Sequence, residues 1–228
     1  MIFLKDIVYI FFPKVCLCCK EHLTNNEATI CIKCRHDLPL TNFSVEANNL
    51  VEKSFYGRIL VENATALFYF LKKGKVQQLI HELKYNKQQQ VGNFIGNWLG
   101  DEIIESNRFK NIDYIVPVPL HRKKLKTRGY NQVTTFGESL AKKLTIEFNN
   151  NFLIKISSTK TQTKKLRLDR WKNVQELFIV QNKIDLENKH ILLIDDIITT
   201  GATLEACSNA FNNIKGLKIS IACMAYTK

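Results

Sequence analysis

Residues 191–203 read ILLIDDIITTGAT. The unbroken aliphatic run Ile191 to Ile194 predicts a strand buried on both faces, the kind found in parallel sheets covered by helices. Asp195 and Asp196 mark its carboxyl edge, which is where open α/β sheets bind their ligands. Adjacent carboxylates repel, so a ribose diol or Mg²⁺ that offsets their charge is the expected occupant. Thr199, Thr200, Gly201, Ala202 and Thr203 then form a short loop entering a helix. Its backbone N–H groups and hydroxyls converge, and the helix dipole favours negative charge there, which makes a phosphate cradle. One loop can therefore hold a diol and a phosphate together.

The surrounding pattern agrees with such a sheet. IDYIVPVP (112–119), FLIKIS (152–157) and LKISIACMAY (217–226) are further apolar runs, and 64–71 adds a strand or hairpin turning at Gly74. Between them lie helical spacings: Val76, Leu79, Ile80 and Leu83; Phe94 to Ile104; about Asn131 to Leu144; and about Leu204 to Phe211. Strands alternating with helices predict a parallel α/β sheet flanked by helices. The aromatics Phe94 and Trp98 fit its core, as do Cys207 and Cys223. His81 has no recognisable partner.

Four of the seven cysteines fall as Cys16-x2-Cys19 and Cys31-x2-Cys34. Two such knuckles supply four thiolates that close tetrahedrally on one Zn²⁺, with a redox or disulfide pair as the alternative. Four protein ligands leave no open position, so this zinc is structural. Cys18 sits inside the first knuckle, and its spacing fits a ligand role less well. His22 and His36 are expected as exposed polar residues. The polar stretch NNLVEKS (48–54) is the expected junction, dividing the chain into a zinc module at 1–50 and an α/β domain at 51–228. IVYIFFP near the start is too short to span a bilayer and no cleavage pattern follows it, so a cytoplasmic protein is expected.

The net charge of +12 is localised: fourteen of the 33 Lys/Arg but three of the 21 Asp/Glu lie between residues 119 and 172. Such segregation predicts an anionic partner, either nucleic acid or a polyphosphate, over a merely solvated face. Within this segment PVPLHRKKLKTRGYNQ (117–132) stops a strand at its prolines. The following loop then gathers Arg122, Lys123, Lys124, Lys126 and Arg128 before Gly129 turns into the next helix. Five cations without an acid suit pyrophosphate or a nucleic-acid backbone, and arginine grips phosphate bidentately. TKTQTKKLRLDRWKN (159–173) is equally basic and lacks a buried-strand pattern.

Four hydrophobic residues, two acids, two hydrophobic residues and T-T-G-A-T resemble the phosphoribosyl pyrophosphate (PRPP) signature of type I phosphoribosyltransferases. That resemblance implies that the acid pair contacts the ribose hydroxyls and that the Thr/Gly loop holds the 5′-phosphate. It implies a pyrophosphate loop within 117–132 and a mobile loop closing over PRPP, with Gln162, Lys164, Leu166, Arg170 and Asn173 in it. Together with the zinc knuckle, P-V-P-L-H-R-K…R-G-Y-N-Q and Q-x3-L-x3-R-x2-N, the chain resembles the ComF/GntX family (competence protein F, ComFC-like). The implied function is PRPP binding, with Mg²⁺, in a cytoplasmic protein that assists internalised single-stranded DNA during natural transformation, alongside proteins of the competence machinery. Tyr130 or Trp171 could stack bases, with loop packing as the alternative. An active phosphoribosyltransferase in nucleotide salvage is the competing reading. In it Asp195 and Asp196 orient the ribose and steady oxocarbenium charge, while Arg122, Lys123 and Lys164 stabilise the leaving group. No acceptor-binding residues are recognisable.

Overall fold

A computed structural model describes residues 13–156 and 177–228. The strands are β1 (Ala64–Tyr69), β2 (Tyr114–Pro117), β3 (Glu147–Phe148), β4 (Leu153–Ile156), β5 (Leu177–Val180), β6 (His190–Ile198) and β7 (Lys218–Tyr226). The helices are α1 (Ile32–His36), α2 (Leu50–Lys53), α3 (Lys75–Tyr85), α4 (Gln90–Ser106), α5 (Arg122–Arg128), α6 (Thr134–Leu144) and α7 (Ala202–Ala210). Five strands form one sheet in the order β1-β7-β6-β2-β3, and every pairing in it is parallel.

Period-two alternation divides each buried strand between two cores. In β6, Leu192 and Ile194 pack with Leu79 of α3, Ile95 of α4 and Phe136 of α6. Ile191 and Leu193 pack on the other face with Phe55, Leu204 and Phe211. The protein is thus a parallel sheet flanked by helices on both faces. No helix among the described residues is long and apolar enough to cross a membrane.

Helices α4 and α6 approach closely because Gly92, Gly96 and Gly100 line one face of α4. A Cβ at Gly96 would come within 2.5 Å of the Phe136 carbonyl oxygen. A side chain there would have to push backbone aside. This stripe, at intervals of four residues, is a packing signal that sequence reasoning overlooked.

The segment carrying the paired cysteines packs into the first core through Leu17, Ile30 and Leu38. It is also tied to α3, where Lys20 Nζ donates to buried Glu82 at 2.5 Å and Lys75 Nζ donates to Asp37 at 2.5 Å. Burial alone would raise the Glu82 carboxyl, but Lys20, Asn86 and Gln78 together hold it below its ordinary value. Residues 39–41 then cover the outer edge of β1, with Tyr69 N–H donating to Pro39 and Thr41 N–H to Leu67. That pairing blunts a sheet edge that would otherwise be open.

Three expectations change. Residues 153–156 do not join the parallel sheet; β4 pairs antiparallel with β5 in a separate two-stranded unit. Its burial falls away along its length, from buried Leu153 to exposed Ile156, which a strand covered on both faces does not do. The helix expected from Asn131 begins at Thr134, because Asn131 is used in the preceding turn, accepting from Thr134 N–H and donating its side-chain amide to the Val118 carbonyl. Finally, residues 122–128 are a helix and not a loop. His121 Nδ1 caps it by accepting from Lys123 N–H at 3.2 Å, and Gly129, at φ +80°, ends it.

Candidate functional site

Strands β2 and β6 are neighbours, but the chain leaves them in opposite directions. After β2 it moves to β3 through α5 and α6; after β6 it moves to β7 through α7. The helices α6 and α7 cover opposite faces, so a crevice opens between the two carboxyl ends. A cavity of about 360 Å³ lies there. Val118, Pro119 and His121 reach it from the β2 side, and Asp195, Asp196 and Thr203 from the β6 side. Lys84, Lys124, Arg128 and Lys155 complete its wall.

The two acids do not mark the end of their strand, which continues to Ile198. Being adjacent in it, they alternate. Asp196 follows Leu192 and Ile194 toward the α3 face, where it is 7% exposed. There its Oδ2 lies 2.7 Å from Lys84 Nζ and accepts from Gln132 Nε2 at 2.7 Å. Asp195 follows Ile191 and Leu193, and its Oδ1 accepts from the Asp196 N–H at 2.8 Å. Mutual repulsion is therefore eased inside the protein by the ammonium of Lys84, which pairs with Asp196. Burial, and then the charge of Asp196, push the Asp195 carboxyl up to about 8 against the opposing pull of Lys84 and Lys155.

That shift has a sign. Between an ordinary carboxyl pKa near 4 and about 8, folded Asp195 keeps a proton that the unfolded chain has lost. This group therefore favours folding least at high pH, and its contribution falls as pH rises through that window by at most about 1.4 kcal/mol per unit. Chemical denaturation at pH 5.5 and pH 8.5 is expected to show the decline, and Asp195→Asn is expected to flatten it. An identical decline in the variant would assign the effect to other groups.

The Thr/Gly turn is held from behind. Arg58 donates through Nη1 to the Thr200 carbonyl at 2.8 Å and through Nε to Glu205 at 3.0 Å. Gly201 takes φ +73°, and a Cβ there would meet Phe55 at 2.9 Å. Both the left-handed backbone and the close ring require glycine. Thr199, Thr200 and Ala202 are exposed while Thr203 faces the cavity. Arg58 and Glu205 were not anticipated, since neither stands in a motif.

Of the basic residues, Lys124 and Arg128 are one helical turn apart on α5 and both face the cavity. Lys123 is turned to an outer recess. Arg122 opens α5, and its side chain lies outside the described residues, as do Gln162, Lys164, Leu166, Arg170, Trp171 and Asn173. Tyr130 is not free for stacking: its hydroxyl donates to the Leu83 carbonyl and its ring packs against the first core. Lys84 and Gln132 are the partners sequence reasoning did not single out. Gln132 at least stands in the quoted R-G-Y-N-Q motif, whereas Lys84 carries no local signal.

The sulfurs of Cys16, Cys19, Cys31 and Cys34 all lie within 4.8 Å of one another. Cys19 and Cys31 Sγ are 3.8 Å apart, close to the spacing of about 3.8 Å set by Zn–S bonds of about 2.3 Å at tetrahedral angles. Backbone N–H groups of Cys31 and Cys34 donate to Cys16 Sγ and Cys31 Sγ at 3.3 and 3.4 Å, as they would to thiolates. The cluster can hold a metal. Cys18 stands apart from it, directed to the Lys75 carbonyl at 4.0 Å, and burial pushes its thiol up to about 12. His22 and His36 are exposed.

Residues 134–228 match the phosphoribosyl transferase domain family. DNA utilization protein YhgH of Escherichia coli K12 is 22% identical over 216 residues, spanning 93% of this chain and 90% of that one. Competence protein F of Haemophilus influenzae is 28% identical over 140 residues, spanning 60% of this chain and 61% of its own. Competence protein ComFC of Bacillus subtilis is 33% identical over 90 residues, spanning 40% and 34% respectively.

Proposed function

We propose that the chain is a ComF-family protein with a phosphoribosyl transferase domain, and that it binds PRPP and handles single-stranded DNA in natural transformation, a reading that its similarity to competence protein F, ComFC and YhgH supports. The site is the crevice between β2 and β6, with Mg²⁺ accompanying the pyrophosphate as its counter-ion. The protein acts in the cytoplasm, beside other proteins of the competence machinery. Residues 1–50 form a module closed by zinc, and 51–228 carry the ligands.

One observation supports this reading above the rest: a carboxylate pair, Thr203 from the end of the Thr/Gly turn and several cations line one cavity at a switch point. Asp195 and Asp196 would hold the two ribose hydroxyls. The turn from Thr199 to Thr203 would take the 5′-phosphate on its hydroxyls and on the N–H groups opening α7. Lys124 and Arg128 would meet the pyrophosphate, with Lys123 adding positive charge from the outer recess. Gln162, Lys164 and Arg170, which lie outside the described residues, would add contacts to the same ligand.

A titration of PRPP and Mg²⁺, with and without an oligothymidylate, tests both halves. Saturable PRPP binding is expected, together with single-strand affinity that falls steeply with salt. The log–log salt slope is about −0.7 per phosphate contact, so Lys123→Ala with Lys124→Ala should reduce it by about 1.4. Absent PRPP binding overturns the site; strand binding indifferent to salt and to these lysines overturns the DNA half.

A second reading, an active phosphoribosyltransferase with an unidentified acceptor, draws support from a neighbouring cavity of about 750 Å³. It shares Pro119, Leu120 and Lys155 with the first cavity and is walled by Tyr130 and Leu153 among others. Pyrophosphate release from PRPP with a panel of bases would favour it.

A further inference from the structure

The buried residues of α3 are Val76, Leu79, Ile80, Glu82 and Leu83. Tyr85 comes two positions after Leu83, so it leaves the helix on the opposite side and is 62% exposed. A tyrosine that serves packing is placed as Tyr130 is, with its ring against a core and its hydroxyl satisfied. Tyr85 instead stands in a recess of about 420 Å³ between the end of α3 and α5. Around it are Lys84 and Lys87 from the α3 side and Lys123, Lys124 and Arg128 from α5, with no carboxylate in the lining. The Arg128 guanidinium lies 5.3 Å from the Tyr85 ring centroid, and the His81 ring lies 4.9 Å away at 45°.

Five cations around one exposed ring match a specific chemistry. Phosphate alone would need only the cations. An unpaired nucleotide brings an anionic backbone and a free π-face together, whereas the bases of a duplex are stacked on each other. We propose that this recess is a subsite for one unpaired nucleotide of single-stranded nucleic acid, its base stacked on Tyr85 and its flanking phosphates on Lys87 and Lys123. The inference rests on the single-strand reading above and names the residue that distinguishes single strands from duplex. Lys84, Lys124 and Arg128 line both this recess and the inner cavity, so a strand seated here passes the mouth of that cavity.

The test uses the full chain and fluorescence anisotropy with labelled oligothymidylate, oligouridylate and a duplex of equal length. Tyr85→Ala is expected to weaken single-strand binding about tenfold, within the range that base stacking on an aromatic side chain contributes. Tyr85→Phe and Tyr85→Trp are expected to restore it. The salt slope and duplex binding should be unchanged in Tyr85→Ala, while Lys87→Ala with Lys123→Ala should lower the slope. Unchanged PRPP affinity in Tyr85→Ala shows that the crevice is intact. A preference between the two single strands reports the sugar together with the thymine methyl group, and loss of both in Tyr85→Ala supports the subsite for either. Single-strand affinity equal to the parent in Tyr85→Ala, with Lys123→Ala and Lys124→Ala still weakening it, overturns the stacking subsite and leaves the wider reading standing. No single-strand binding by the parent protein overturns both.

Discussion

Replacing Cys16 and Cys34 together by serine is expected to abolish zinc binding, unfold the N-terminal segment and weaken PRPP binding with it. Cys16 and Cys34 are 0% and 2% exposed, so the unligated pair would leave polar groups in a core built to surround a metal. Structural zinc supplies about 10–16 kcal/mol to small zinc-folded peptides. That is comparable to the whole stability of a typical domain, about 5–15 kcal/mol. The loss should reach the crevice because the cysteine segment is fastened to α3 by Lys20–Glu82 and Lys75–Asp37, and α3 carries Lys84, the partner of Asp196. Metal analysis should find one zinc per chain in the parent protein, and thermal melts of the parent with and without a strong chelator should reproduce the variant's deficit. A zinc-free variant that melts with the parent and binds PRPP normally would falsify the structural role.

The second large effect concerns the carboxylates. Asp195→Ala with Asp196→Ala is expected to weaken PRPP binding by a hundredfold or more. Hydrogen bonds to charged groups are each worth about 1.5–3 kcal/mol, and tenfold in affinity corresponds to about 1.4 kcal/mol. The double variant should remain folded, because it also removes the Asp195 carboxyl, whose burial opposes folding at neutral pH. It does leave Lys84 and Gln132 without their shared acceptor, a modest local cost. Asp196→Asn separates the contributions: an amide oxygen still accepts from Gln132 while the charge facing Lys84 is lost. Calorimetry of PRPP binding, beside circular dichroism and zinc content, reads both outcomes. An affinity equal to the parent in a folded double variant would remove the ribose from this crevice.

The parts legible in the sequence share one property: their signal is local. The β6 run is read from four consecutive aliphatics, and the four-cysteine cluster from two C-x2-C spacings a few residues apart. The loop entering α7 is read from its adjacent threonines and glycine. The helix at 122–128 escaped notice because its one apolar side chain, Leu125, offers no periodicity; its caps, His121 and Gly129, define it. The strand β4 was misplaced because a short apolar run does not say whether it is covered on one face or two.

Sequence alone determined a parallel α/β sheet and a four-cysteine cluster, and set the expectation of a phosphorylated diol at Asp195 and Asp196. Only the tertiary structure decided that the two acids face opposite sides of their sheet, that Lys84 and Gln132 pair with the second of them, and that Tyr85 stands exposed among cations. Those contacts join residues far apart in the chain, such as Gln132 and Asp196 at 64 positions' separation. Propensity and spacing act over a few residues, whereas the partner of a buried charge is chosen by how whole helices pack.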